Sequence, residues 1–361
     1  MFLTKKVWFQ SAVGILLLLL IIKYFLEIKH IFYPIVVLLS AIFTPLLIGG
    51  VLFYITEPLQ KFLEKRKFPR WASILTILVL LIGIVAGFVS FIWPMISTQL
   101  NNFIQALPSL MNELSKGTRY IIEQRENLPS QVQDAIETAI NSIKDYAILT
   151  SKFLVDVIAT IVSWAFVLIL IPFFFIYMLK DHEKFAPRIY GLFSGQRKEW
   201  VAKTLKEVND VLKNYIQGQM LISLILATIM YIGYLIIGLE FALLLVIFAF
   251  FMNIIPFIGP WIAFIPALII GLLNDPIQAF WVCVVTLVAQ QTDSNFITPN
   301  VMGKTLDIHP LTVITIILAG GNIAGFLGIL LGVPFYAVVK VIVKNIYERR
   351  IEIRQAATKE I

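Results

Sequence analysis

Six polar residues in a row, Gln290-Gln291-Thr292-Asp293-Ser294-Asn295, close the apolar run FWVCVVTLVA (Phe280–Ala289). They lead into FITPNVMGKTLDIHP, after which a second long apolar stretch begins at Leu311. A carboxylate at membrane depth is expensive and as a rule faces a pathway or a partner. Asp293 is therefore the candidate for a proton or Na⁺ site. The amides of Gln290, Gln291 and Asn295 carry both donors and acceptors, which suits a neutral hydroxylated solute. The competing reading is that the run has reached the membrane interface and caps helix ends. Pro299 and Gly303 bend the chain beyond it. His309 is by residue type a candidate proton carrier, yet a histidine before Pro310 at a helix start is equally a cap.

A second constellation lies in NIIPFIGP, which interrupts the 33 apolar residues from Phe241 to Leu273. Pro256 lacks a backbone donor and clashes with the preceding turn, and Gly259 and Pro260 complete the break. Neither half is long enough to cross ~30 Å of hydrocarbon. Unwound backbone at that depth is tolerated only when buried in protein or lining a wet cavity. Transporters use such half-helix ends to hold ions or substrate near the midplane, and Asn253 is the polar side chain placed to contribute. A proline kink that merely shapes packing is the alternative. AGGNIAGFLG (Ala319–Gly328) repeats the pattern with four glycines and Asn322 in mid-run. Whether each break is a kink or a re-entrant hairpin stays open at this level.

The elements that must carry these residues follow from composition. The 361 residues are 59% hydrophobic and 14% charged, with mean hydropathy +0.88. So few charges cannot cover a soluble protein of this size. Apolar runs at Ser11–Ile22, Ile31–Ile55, Trp71–Trp93, Phe153–Leu179, Met220–Leu239, Phe241–Leu273 and Leu311–Val343 mostly reach the ~20 residues of a membrane helix. The fold class is all-α, a polytopic helical membrane protein of about eight transmembrane segments, with broken or re-entrant helices in its second half. The short alternating segments of a β-barrel do not occur. The first run follows Lys5 and Lys6 and has no small-residue cleavage site, so it reads as a retained signal anchor.

Charge gives organisation and orientation. Residues 56–70, 180–218 and the tail from Lys340 are basic, whereas 95–152 carry five basic residues against six acidic. By the positive-inside rule the N- and C-termini are cytoplasmic in a cell membrane. The expected layout is three N-terminal membrane helices with a basic cytoplasmic loop in 1–94, then an extracytoplasmic amphipathic segment in 95–152. A fourth membrane helix with a basic inner loop and helix fills 153–218. A transport core with broken helices spans 219–345, and a cytoplasmic tail 346–361. Within 95–152 the positions Val132, Ile136, Ile140 and Ile143 recur at helical spacing behind a capping-box start at Ser130. The amphipathic stretch around Leu205–Ile216 reads as a helix along the membrane surface.

Several classes are excluded. There is no GxxxxGK[ST] loop, no HExxH and no GxSxG, so neither an ATPase of that kind nor a hydrolase of those kinds is expected. Three dispersed histidines and the single Cys283 give no expected metal site or cofactor. The basic residues follow the inner loops rather than forming a nucleic-acid patch. The expected function is membrane transport without an ATPase of its own, and not an enzyme, with a coupling ion of H⁺ or Na⁺. A non-transporting scaffold or permease-associated subunit is the alternative from another class, motivated by the exported helices.

YIQGQ (Tyr215–Gln219) leading into a span, NIIPFIGPWIAFIPALIIGLL, Gln-Gln-Thr-Asp and ITPNVMGKTLDIHPLTVI together resemble the AI-2E transporter family. The layout agrees along the whole chain, and the motif match is concentrated in 215–311. Pro256, Gly259, Pro260, Asp293, Pro299, Gly303, His309 and Pro310 are the positions that match. Ser294 departs from the pattern, where an asparagine is expected. The resemblance implies export of a small polar solute such as autoinducer-2 or, as in some members, Na⁺(Li⁺)/H⁺ antiport. It also implies a homo-oligomer in the lipid bilayer.

Overall fold

Inside hydrocarbon every backbone N–H and C=O must be paired within the chain, which leaves helices as the only open choice. In a computed structural model, which describes residues 7–99, 101–102, 105, 165–303 and 308–359, every regular element is helical. The first, α1 (Val7–Lys65), runs unbroken for 59 residues, about 88 Å at 1.5 Å per residue. The first two expected membrane segments therefore share one helix, and the described residues of 1–94 hold two helices rather than three. In the polar stretch between the runs, Lys23 and Glu27 face each other across one turn of that helix at 3.9 Å. Pro34, Pro45 and Pro58 are absorbed within the helix.

The basic loop expected over 56–70 contracts to a short turn around Arg66–Pro69, with Lys67 at φ +66°. Helix α2 (Arg70–Gly87) continues through a π-helical stretch at Phe88–Ile92 to Gln99 as a single 30-residue apolar helix. The amphipathic helices expected in 95–152 lie outside the described residues, apart from the end of this helix. Chain description resumes with α3 (Ala165–Tyr190). Phe53, Ile74, Ile77, Phe175 and Leu179 from these three helices form one apolar core.

Helix α4 (Gly195–Ile236) is 42 residues long. The amphipathic stretch expected to lie flat on the membrane thus continues straight into the span, because its buried face packs on α1 and on the last helix. Gln217 Nε2 donates to the Tyr54 carbonyl at 2.6 Å, and Lys213 pairs with buried Glu57 at 3.0 Å. Around the outer part of α4 gather α5 (Ala242–Met252), α6 (Ile258–Asn274), α7 (Pro276–Thr292), the short α8 (Thr298–Met302) and α9 (Pro310–Lys359). These share the large core that contains Tyr234, Ala249, Ala267, Val282 and Val333.

Both sequence breaks are hairpins. Gln278 Nε2, at the start of α7, donates to the carbonyls of Ile237 and Gly238 at 3.0 and 3.1 Å. The beginning of α5 and the end of α6 therefore stand at one level. Their connecting turn at 253–257 meets α4 at Gln219, roughly 25 Å along that helix from Ile236. With eleven residues, α5 reaches only about 16 Å, so the pair enters and returns. In α9 the helix stops at Ala324 and Gly325 (φ +58°) and doubles back. Gly320 and Gly328 lie backbone to backbone across this second hairpin, and a side chain on either would collide with the other's carbonyl. Among the described residues, Ala41–Lys65, Arg70–Gln99 and Gly195–Ile236 are long and apolar enough to cross a bilayer by length and composition, and the fourth such stretch, Pro310–Glu352, is the one that doubles back at Ala324–Gly325.

Candidate functional site

The first hairpin is held shut at its tip by its own sequence. Helix α5 ends at Met252, the chain turns through Asn253-Ile-Ile-Pro256, and Phe257 adopts φ +62° before α6 begins. Positive φ at a bulky residue is strained, and the close approach that imposes it is visible at Gly259. A methyl group on Gly259 would collide with the carbonyl of Met252, so only glycine lets the two arms meet. Pro260 lies in the first turn of α6, where its missing donor costs nothing.

The tip meets α4 through Gln219, whose Nε2 donates to the Asn253 carbonyl at 2.6 Å. The Asn253 side chain is 3% exposed, and neither its amide nitrogen nor its oxygen has a hydrogen-bond partner. One turn to either side of Gln219 on the same face of α4 stand Tyr215 and Ser223. Both are buried, and the Tyr215 hydroxyl and Ser223 Oγ are likewise unpaired. Native proteins leave few buried polar groups unpaired, and each one calls for an explanation. Three such residues are thus brought to one stretch of α4 and the hairpin tip that bonds it at Gln219.

The polar run 290–300 behaves in the opposite way. Asp293–Ile297 form a π-helical turn, a feature that often marks functional sites. The wide turn brings Thr298 beside Asp293, and its Oγ1 donates to Asp293 Oδ1 at 2.7 Å. Asn295 Nδ2 donates to Gln291 Oε1 at 3.1 Å, Ser294 Oγ to the Gln290 carbonyl at 2.9 Å, and Asn300 Nδ2 to the Phe296 carbonyl at 2.7 Å. Gln291 and Asn295 are exposed, Gln290 and Asp293 half-buried. The amides thus pair mainly within their own helix.

Pro299 opens α8, and Gly303 ends it at φ +54°. His309 is exposed, and its Nδ1 accepts from the Leu311 N–H at 3.2 Å. With Pro310 as the first residue of α9, His309 stands as a helix cap. The two broken segments nevertheless share a joint, for Met302 of α8 packs on Gly218 while the hairpin tip bonds Gln219 next to it. Met252, Ile255, Ile297 and Met302 close around it in one core.

Sequence reasoning took YIQGQ only as the lead into a span and passed over Tyr215, Gln219 and Ser223 as site residues. The signal was present, because their i, i+4, i+8 spacing puts three polar groups on one helix face that elsewhere is apolar. Glu240 and Asp275 stand just ahead of α5 and α7. Asp275 caps α7 by accepting from the Ile277 N–H at 2.9 Å. Both carboxylates also line a cleft of about 730 Å³ at the hairpin base, with Asn274, Gln278 and Trp281.

The chain is similar along most of its length to proteins described as transporters. A family model described as "AI-2E family transporter" matches residues 12–348. The chain is 35% identical over 367 residues to "Putative transport protein YueF" of Bacillus subtilis, covering 99% of this chain and 98% of that protein. It is 29% identical over 352 residues to "Putative transport protein YrrI" of the same organism, covering 97% and 99%. "Putative permease PerM" of Escherichia coli is 24% identical over 319 residues, covering 86% and 89%.

Proposed function

The chain belongs to the AI-2E transporter family, and on that premise we propose that it is a permease exporting a small polar solute such as autoinducer-2, without an ATPase of its own. The observation that carries this reading is the set of unpaired, buried Tyr215, Ser223 and Asn253 groups at the hairpin tip. A neutral solute bearing hydroxyl groups satisfies hydroxyls and a primary amide at once, since each of these groups both donates and accepts. No charge needs to be neutralised there. The broken backbone at 253–257 adds carbonyls freed from helical pairing. The cleft at the hairpin base supplies an opening on the side of Glu240 and Asp275. The protein lies in the cell membrane with both termini in the cytoplasm and works as a homo-oligomer, with a gradient of H⁺ or Na⁺ as the energy source.

Proteoliposomes loaded with autoinducer-2 test this directly. Wild-type protein is expected to accelerate efflux over empty vesicles. The variant Asn253→Ala is expected to lose most of that gain, while Gln290→Ala keeps it. Equal rates in wild-type and empty vesicles would remove the reading.

A second reading, Na⁺(Li⁺)/H⁺ antiport, is favoured by Asp293. It is a half-buried carboxylate on a π turn, with one hydroxyl donor from Thr298. Vesicles carrying an outward Na⁺ gradient would then acquire a pH gradient, and Asp293→Asn would abolish it. No proton movement from pH 6 to 9 removes this alternative.

A further inference from the structure

The hairpin tip is poised between two states, and the same residues define both. In the state described, the tip is closed on α4 by Gln219 donating to the Asn253 carbonyl and by the packing of Met252, Ile255, Ile297 and Met302. Closure strands the Asn253 amide, the Tyr215 hydroxyl and the Ser223 hydroxyl without partners. Each of these groups favours any state in which water or a solute reaches it, because an unmade buried hydrogen bond is costly. The opposing terms sit on one joint a single turn deep.

The base of the hairpin, by contrast, is fastened. Gln278 holds both the Ile237 and Gly238 carbonyls, and Asp275 caps the following helix. Gly238 at φ +65° and Phe241 at φ +57° place two left-handed residues in the link between α4 and α5. Such residues concentrate backbone rotation in a short segment, as hinges do.

We propose that the α5–α6 hairpin is a gate and that Gln219 is its latch, the positioning residue whose hydrogen bond to the Asn253 backbone holds the tip over Tyr215 and Ser223. This rests on the transport reading above and adds the element that moves. Opening breaks one charge-neutral hydrogen bond and the packing of Met252, Ile255, Ile297 and Met302, and it wets three side chains that lack partners when closed; these opposing terms let a solute that binds the open state select it. Loss of the latch favours the open state by the two- to tenfold that a single net hydrogen bond is worth.

The test reads water access at the joint and does not require knowledge of the solute. In a background in which the single cysteine is removed, Cys283→Ala, a reporter is installed as Ser223→Cys and the protein is placed in liposomes. Its rate of reaction with a small water-soluble maleimide is then measured. Adding Gln219→Leu, which keeps the bulk and removes the donor, is expected to raise that rate about three- to tenfold. Gln219→Ala serves if the leucine variant does not fold. Gln217→Leu, which loses a bond to the Tyr54 carbonyl instead, is expected to leave the rate within twofold. A rate indifferent to Gln219, or raised equally by Gln217→Leu, overturns the latch.

A second arm installs Asn253→Cys in place of Ser223→Cys in the same background and reads labelling rather than efflux. Gln219→Leu is expected to raise the maleimide rate at 253 as it does at 223, and a rate at 253 indifferent to Gln219 overturns the gate. If labelling responds to Gln219 while neither autoinducer-2 nor Na⁺ and H⁺ move in any vesicle, the latch stands and the transport reading falls.

Discussion

Two regions of the broken-helix core carry polar side chains, and they solve the same physical problem differently. The run from Gln290 to Asn300 is dense in amides, hydroxyls and one carboxylate, yet most of these groups pair within their own helical turn or face outward. The joint at Gly218–Gln219 has fewer polar residues, but three of them are buried and unpaired. Polar density in the sequence therefore does not locate the unsatisfied groups. What locates them is the meeting of a helix face with a turn that has no spare partners. A paired group is satisfied where it is; an unpaired one is a standing demand for water or ligand.

The comparison breaks first at glycine. Gly259 lies where any Cβ would strike the Met252 carbonyl, whereas nothing stands within 4 Å of the same position at Gly303. Gly259→Ala is expected to cost about 3 kcal/mol or more, since backbone must move rather than a side chain. Gly303→Ala should cost about 1 kcal/mol, the strain of a non-glycine at positive φ. Thermal unfolding of the purified variants in detergent checks the pair. Equal shifts would mean that the two arms of the hairpin do not meet as described.

Asn253 and Asn295 separate stability from function. Replacing Asn253 by leucine, of similar volume, removes two unpaired buried atoms and breaks no side-chain hydrogen bond. Stability is expected to hold or to rise by about 1–3 kcal/mol, while efflux falls at least tenfold. Asn295→Leu deletes an exposed intrahelical bond and should change stability by less than about 0.5 kcal/mol, with efflux within twofold. If Asn253→Leu lowers the melting temperature and leaves efflux intact, its amide is structural and the contrast with the 290–300 run dissolves.

The sequence carried the class of the protein because composition and backbone pairing in lipid allow only helices. It also placed both breaks at the right residues, since Pro256 and the Gly320–Gly328 cluster cannot sit in plain helix. It did not show that the breaks are hairpins. That depends on contacts between distant residues, Gln278 with Ile237 and Gly259 with Met252, which no local pattern reveals. Nor did it show that α1 is continuous, because the polar residues between Ile22 and Ile31 split two apolar runs, each of which reads as a span of its own. Asp293, Gln291 and Asn295 were legible as polar residues, but the bond of Asp293 to Thr298, five residues on, depends on a π turn that adds one residue to the register, whereas Asn295 and Gln291 pair at ordinary helical spacing. Tyr215, Gln219 and Ser223 were legible by spacing and were hidden by the apolar bulk around them.

A third polar cluster, outside the membrane part, sets the small end of the scale. Arg70 Nη1 binds Glu183 Oε2 at 2.7 Å, and its Nε and Nη2 reach the Leu179 carbonyl at 3.3 and 3.2 Å. The Arg70 hydrogen bond holds the Glu183 carboxyl below its usual value of 4.5. A carboxylate with a lowered folded-state value contributes stability that is fully present above the ordinary range and is lost as pH falls through the folded value. The Glu183 side chain is 65% exposed, so solvent screening limits the contribution to a few tenths of a kcal/mol, roughly that of an ordinary surface pair. Wild type and Glu183→Gln should therefore differ slightly in melting temperature at pH 7 and converge in acid once the pH has fallen through the lowered folded-state value. A difference that persists in acid would show that Glu183 acts by packing rather than by charge. The unpaired groups at Gln219 carry no such titration, so Asn253→Leu should keep its full effect at both pH values, which separates solvated pairing from buried want of a partner.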